Sequence, residues 1–247
     1  MKSMTVLWTK ALSSRPFFAP VLTSCLALLF TLGLWAPGRE AQAWEGGPSC
    51  GGSTFPATGQ EVSFGTTTMT QTGAPVNDDG LVRAGGALRY QDNGDGTITD
   101  LNTGLMWEKK INDGGLHDVD LVFPWSSPME TIWDWLAFVN AEGGVGFAGF
   151  NDWRIPNVKE LQSIVDYGTS FPAVDVAFNN GAMGPCTVLT CSRTVSAGYW
   201  SSTTVDGFAA SAWGVNFGFG IANGDVKSNF SFGNGGHVRA VRGGCVP

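Results

Sequence analysis

The stretch Gln91–Trp107, QDNGDGTITDLNTGLMW, carries the residue types of a calcium loop. Asn93, Asp95 and Gly96 stand in the N-x-D-G order of an EF-hand, and Asp92 and Asp100 are further carboxylates nearby. An EF-hand loop needs an aspartate at its first position and a bidentate glutamate at its twelfth, because a hard dication that sheds water must gain charged oxygens in return. With Asp95 fifth and Gly96 sixth, the first position falls on Gln91 and the twelfth on Asn102, so neither carboxylate is supplied. Asn93-Gly94 and Asp95-Gly96 are also strong hairpin dipeptides, since Asn, Asp and Gly tolerate positive φ. The stretch therefore predicts a β-hairpin without an EF-hand-type site. Asp92, Asp95 and Asp100 are the candidates for any looser calcium site, and no cofactor is expected.

Other chemistry is sparse. His117, in GGLHDVD, reads as part of an exposed loop, and His237 as a structural histidine before the last strand. There is no H-E-x-x-H or P-loop. The glycine-rich EGGVGFAGF follows a helical segment and lacks G-K-[ST], so it is no phosphate cradle. Asp78/Asp79 and Asp118/Asp120 read as solvated pairs. The two carboxylates of a glycosidase need not be close in sequence, so an extracellular hydrolytic enzyme is the alternative to a binding protein. Asp152-Trp153-Arg154 has two readings: an aromatic-plus-arginine ligand site, or a core Trp153 with an Asp152 or Arg154 ion pair pinning the loop to the next helix. Arg239 and Arg242 are either a small anion-binding patch or partners of the many acids. Trp153, Arg154, Arg239 and Arg242 are thus the binding candidates, and no catalytic residue is assigned.

Charge and cysteine usage bear on location and partners. Met1–Ala43 reads as a secretory signal, with Lys2, Lys10 and Arg15 ahead of an apolar run and Ala41-Gln42-Ala43 as the cleavage site. The rival readings are an uncleaved anchor and a lipobox at Leu22–Cys25. Cleavage takes away four basic residues and one acid, which lowers the net charge from −7 to −10. Such a surface repels nucleic acid. Cys50, Cys186, Cys191 and Cys245 remain, an even count suited to an oxidising compartment. Of their three connectivities, the spacing favours Cys186–Cys191 across TVLT and Cys50–Cys245 across the domain ends. The absence of C-x-x-C argues against zinc. The expectation is a secreted, periplasmic or cell-surface protein with no stable membrane span after cleavage.

The elements that must position these residues form an α+β chain. Residues 44–86 read as an extended Gly/Thr-rich lead-in with one or two short strands, and residues 87–247 as the domain. After the hairpin, Leu105-Met106-Trp107 is a buried strand. A first helix is expected from an Ser127 N-cap, with Pro128 at N1 and Glu130 completing a capping box, an apolar face of Ile132, Leu136 and Val139, and a stop at Gly143-Gly144. A second is expected from Asn157 and Glu160 through Leu161, Ile164 and Val165 to Gly168. Strands follow: YWSSTT, an alternating run Trp213, Val215, Phe217, Phe219, Ile221, and HVRAVRGG with Val238 and Ala240 opposite Arg239. Two early helices and a later twisted antiparallel sheet make the class α+β.

DNGDGTITDLNTGLMWEKK, FNDWRIPNVKELQSIVDYG, YWSSTT, AWGVNFGFG and HVRAVRGG occur in this order. The series, over roughly residues 88–244, resembles the DUF1566 family, the C-terminal domain type of the Legionella collagen-like adhesin. The resemblance implies a C-type-lectin-like fold, related in shape to the sulfatase-modifying-factor fold, and a non-enzymatic binding or adhesion role toward a glycan or protein. It also brings in the adhesin's binding to sulfated glycans. This chain has no collagen G-x-y repeat and lacks the Glu-Pro-Asn and Gln-Pro-Asp triplets of calcium-dependent sugar binding; Ile155-Pro156-Asn157 keeps only the Pro-Asn part. A structural surface-display domain without a small ligand is the third reading.

Overall fold

The structure is a computed structural model that describes residues 55–63, 78–181, 186–228 and 236–243. All lie within the unit Trp44–Pro247. The signal segment, Cys50 and Cys245 fall outside the described residues. Among the described residues, no helix is long and apolar enough to cross a membrane.

The elements are α1 (Asp79–Val82), β1 (Tyr90–Asp92), β2 (Thr97–Asp100), β3 (Leu105–Glu108), α2 (Ile132–Ala141), α3 (Val158–Ser163), β4 (Gly198–Val205), β5 (Phe208–Asn216), β6 (Ile221–Val226) and β7 (Val241–Gly243). They form two antiparallel sheets in the orders β1-β2-β3-β7 and β4-β5-β6. The α+β expectation holds. The lead-in differs in detail: its described part contains α1, capped by Asp78 accepting from Leu81 N, and an isolated Pro56–Gly86 bridge in place of strands.

The core is split by strands that are buried on both faces. Successive side chains of a strand point to opposite sides. Tyr199 and Trp200 of β4 are both fully buried, yet Tyr199 joins Ile98, Trp107, Leu161 and Phe217, while Trp200 joins Ile132, Trp135, Val139 and Trp153. Trp107 and Met106 of β3 divide between the clusters in the same way. The register Ile98↔Trp107↔Val241 carries one apolar row across three strands of the first sheet. The region from His237 to Val241 is wholly buried, which places Arg239 inside and not on a solvated face opposite Val238 and Ala240.

Helix α2 begins four residues later than the Ser127–Pro128–Glu130 signal indicates. Its cap is Thr131, in a capping box with Asp134. Ile132 is fully buried and its N–H reaches Pro124 O, a contact made outside the local sequence, and Ser127 Oγ only accepts Met129 N in the preceding turn. Helix α3 starts where Asn157 and Glu160 say it should but ends at Ser163, short of Gly168. The chain is drawn out of the helix there: Asp166 N bonds Ala173 O, Tyr167 N bonds Thr58 O, and Val165 bridges Val174. Strand β5 likewise stops at Asn216, whose side chain accepts from Gly218 N. Phe217 is still buried, but Phe219 and Ile221, beyond the turn, are exposed.

Candidate binding cleft beside the third helix

Asn157 fixes the start of α3 by accepting from Lys159 N and Glu160 N, and Glu160 returns a carboxylate oxygen to Asn157 N at 2.8 Å. The same carboxylate takes the Arg154 guanidinium as a fork, NH1–Oε2 and NH2–Oε1 both at 2.7 Å. Arg154 is tied on its other side to β7, exchanging backbone hydrogen bonds with Val241 and donating from NH2 to Gly243 O. One arginine thus joins the helix start to the last strand of the first sheet.

Along this seam runs a cleft of about 900 Å³, bounded by the Phe55–Thr58 segment, the β2–β3 turn and α3. Leu105 and Val165 lie at its apolar base, and Arg154, Lys159 and Gln162 are among its polar lining. Lys159 and Gln162 are exposed. Arg154 is largely neutralised by Glu160, so Lys159 carries the free positive charge of the wall; among the described residues it has no ion pair. Hydroxyl, amide and ammonium groups over an apolar base are the composition of a small-ligand site.

Of the four binding candidates, Arg154 alone lines this cleft. Trp153 is buried in the second core cluster and donates Nε1–H to Phe147 O at 2.9 Å. Arg239 is enclosed: it donates to the carbonyls of Glu108 and Arg193 and to the hydroxyls of Ser192 and Thr194. Arg242 pairs with Asp152, Nε–Oδ1 2.6 Å, and lies 3.8 Å over the Phe150 ring. Lys159, Gln162 and the Phe55–Thr58 wall had no sequence signal of their own. The Asn157/Glu160 box pointed to a helix there, and a helix exposes whatever its core stripe leaves out.

The calcium candidates are engaged separately within the hairpin and the turn after it. Desolvation works against the Asp92 carboxylate, but the hydrogen bond and charge of Lys109 and the Gly94 N–H hold it below the usual range. Asp95 accepts from Thr97 N and Thr97 Oγ1. Burial pushes Asp100 up, against hydrogen bonds from Thr103 and Asn102. Gly94 and Gly96 have φ of 75° and 98°, as the hairpin reading requires.

His117 is the clearest departure from the sequence reading. It is not exposed: it is buried, with Nδ1 2.7 Å from Glu108 Oε1 and Nε2 2.9 Å from Glu142 Oε2. Its polar-looking loop is folded inward by Asp118, also buried, whose carboxylate accepts from the backbone N–H groups of Asp113, Gly114 and Asp120. Lys109 and Lys110 are buried too, Lys110 beside Glu108 at 3.2 Å. His237 is enclosed, with Nδ1 2.9 Å from Val119 O, and burial pulls its pKa down. Cys186 and Cys191 form the expected disulfide, Cα–Cα 5.8 Å.

Comparison with curated proteins finds no match. The family model described as the Lcl C-terminal domain matches residues 96–242, more than half of the chain's length, and runs from the end of the hairpin turn through β2, β3, both longer helices and the second sheet to most of β7. The chain belongs to the Lcl C-terminal domain family.

Proposed function

We propose that the chain acts outside the cytoplasm as a non-enzymatic binding module and that the cleft beside α3 takes a glycan. The observation that carries this reading is the cleft itself, which offers Lys159, Gln162 and Arg154 for hydroxyl or acidic groups and an apolar base for the carbon face of a sugar ring. Family membership supports a surface-associated role. Among the described lining residues Glu160 is the one carboxylate, and it is committed to Arg154 and Asn157; glycoside hydrolysis ordinarily uses two. The C-type-lectin-like architecture is part of the proposal. It is supported by the return of β7 to pair with β3, next to the β1–β2 hairpin that opens the domain. Export by Met1–Ala43 and a Cys50–Cys245 bridge complete it, and non-reducing peptide mapping checks the bridge.

The test is a glycan array probed with the wild-type chain and with Lys159→Ala/Gln162→Ala. Saturable binding that the double variant weakens supports the reading. Absence of saturable glycan binding, or a hydrolase activity lost on replacing a single acid, overturns it. Binding confined to proteins on a parallel array keeps a binding role but removes the glycan.

A further inference from the structure

His117 has two partners that a neutral ring cannot keep. Carboxylates accept hydrogen bonds and do not donate, so contacts from Nδ1 to Glu108 and from Nε2 to Glu142 require both ring nitrogens to carry protons. The two carboxylates differ in what they have besides the ring. Glu108 is fully buried at the end of β3 and also accepts from Lys110 Nζ at 3.2 Å and from Ala240 N at 2.8 Å. Glu142 stands where α2 ends, with 40% of its side chain open to water. From Glu142 runs the glycine-rich loop 142–150. Its Phe147 ring lies 4.0 Å from the imidazole and packs against Gly96 of the hairpin.

We propose that His117 is a proton-operated latch: as the imidazolium it ties Glu142, and with it the loop 142–150, to β3, and when it loses a proton it lets Glu142 go. A neutral imidazole keeps one N–H. That proton stays on Nδ1, because a buried carboxylate deprived of a donor loses more than one that water can reach. The bare Nε2 then faces the Glu142 carboxylate, lone pair to lone pair.

The surrounding charges fix the direction. Desolvation alone would favour the neutral ring, but the hydrogen bond and charge of Glu108, followed by the hydrogen bond to Glu142, raise the His117 pKa overall; Lys110 opposes them. Lys110 sits over the Trp135 ring and is itself disfavoured as a cation by burial and by Arg239. Arg239 reaches the ring's surroundings from the segment before β7 through the Glu108 carbonyl. Asp118, on the ring's own loop, attracts Lys110 while its oxygens hold backbone N–H groups. The loop 142–150 contributes Glu142 and the uncharged Phe147 ring. The latch is therefore closed on the acid side of the folded pKa, which lies above 6.5, and opens on its alkaline side.

The experiment follows the His117 ring by imidazole 15N NMR across pH, and hydrogen exchange of residues 142–150 corrected for intrinsic base catalysis. It uses the full chain as wild type, Glu142→Gln and His117→Gln. The wild-type ring should carry both protons below 6.5 and titrate to the Nδ1–H form as pH rises past its higher folded pKa. Loop exchange should rise about tenfold or more over the same step, the equivalent of one charge-assisted hydrogen bond. Glu142→Gln, a change at a water-accessible side chain, should abolish that step in loop exchange even if His117→Gln does not fold. The latch is refuted if the ring titrates at or below 6.5, if the neutral form is Nε2–H, or if Glu142→Gln leaves the step intact.

Discussion

Glu160 receives the Arg154 guanidinium through two contacts of 2.7 Å while the same carboxylate caps Asn157 N at 2.8 Å. The start of α3 and one wall of the cleft therefore depend on a single side chain. Glu160→Ala should lower stability by about 1–2 kcal/mol, a capping contact plus an ion pair discounted because Arg154 is partly exposed. Glu160→Gln, which still offers an oxygen to Asn157, should lose less. Urea denaturation at unchanged m-value checks this, and an alanine variant as stable as the wild type would show that the fork does not hold the helix.

The two hairpin glycines should differ. At Gly94 an added Cβ meets nothing within 4 Å, so Gly94→Ala should cost only the positive φ, about 1–2 kcal/mol. At Gly96 a Cβ would come within 2.8 Å of the Phe147 ring at φ 98°, so Gly96→Ala should cost clearly more and Gly96→Val more again. Thermal melts of the three variants give the order, and equal losses at both glycines would contradict the contact with Phe147.

Much of this was readable from local signals. Asn157 and Glu160 mark a helix start because both halves of the cap lie within one turn of chain, and Asn93–Gly96 mark a hairpin because the dihedral demand is local. The start of α2 was not readable in the same way. Ser127–Glu130 and Thr131–Asp134 carry the same kind of signal, and the choice is made by Ile132 reaching Pro124 O and the core. His117 was misread because its burial comes from partners on β3 and at the end of α2, 9 and 25 residues away. The cleft needs Phe55, Leu105 and Gln162 in one place, and no periodicity links them.

Calcium should leave the melting temperature almost unchanged. Asp92 is bound to Lys109, Asp95 to Thr97, and Asp100 to Asn102 and Thr103, so a cation would have to displace bonds already made. Melts in excess chelator and then in calcium test this. A rise of several degrees that Asp95→Ala abolishes would establish a metal loop.

Global stability should fall off toward alkaline pH. His117 has a raised pKa in the fold, so its contribution is complete below the ordinary value of 6.5 and is lost as pH rises through the higher folded one. Glu108, held down against desolvation by Lys110 and His117, contributes above its ordinary 4.5 and loses that contribution only as pH falls through its lower folded value. Urea midpoints across the pH range should therefore decline above 6.5, and His117→Gln, if it folds, should flatten that limb. A wild-type midpoint that climbs steadily above 6.5 would mean the ring is neutral in the fold.

Ligand capture beside α3 is tested most directly by amide chemical-shift mapping of the 15N-labelled chain during titration with a glycan drawn from the array. Thr58, Thr103, Lys159 and Gln162 line the cleft from its three sides and should shift together along one saturating curve. Lys159→Ala should weaken that curve about tenfold, as for one hydrogen bond to a charged group. Saturable shifts centred instead on the exposed Phe171–Phe219 pair, with α3 unmoved, would contradict the assignment of the cleft as the binding site.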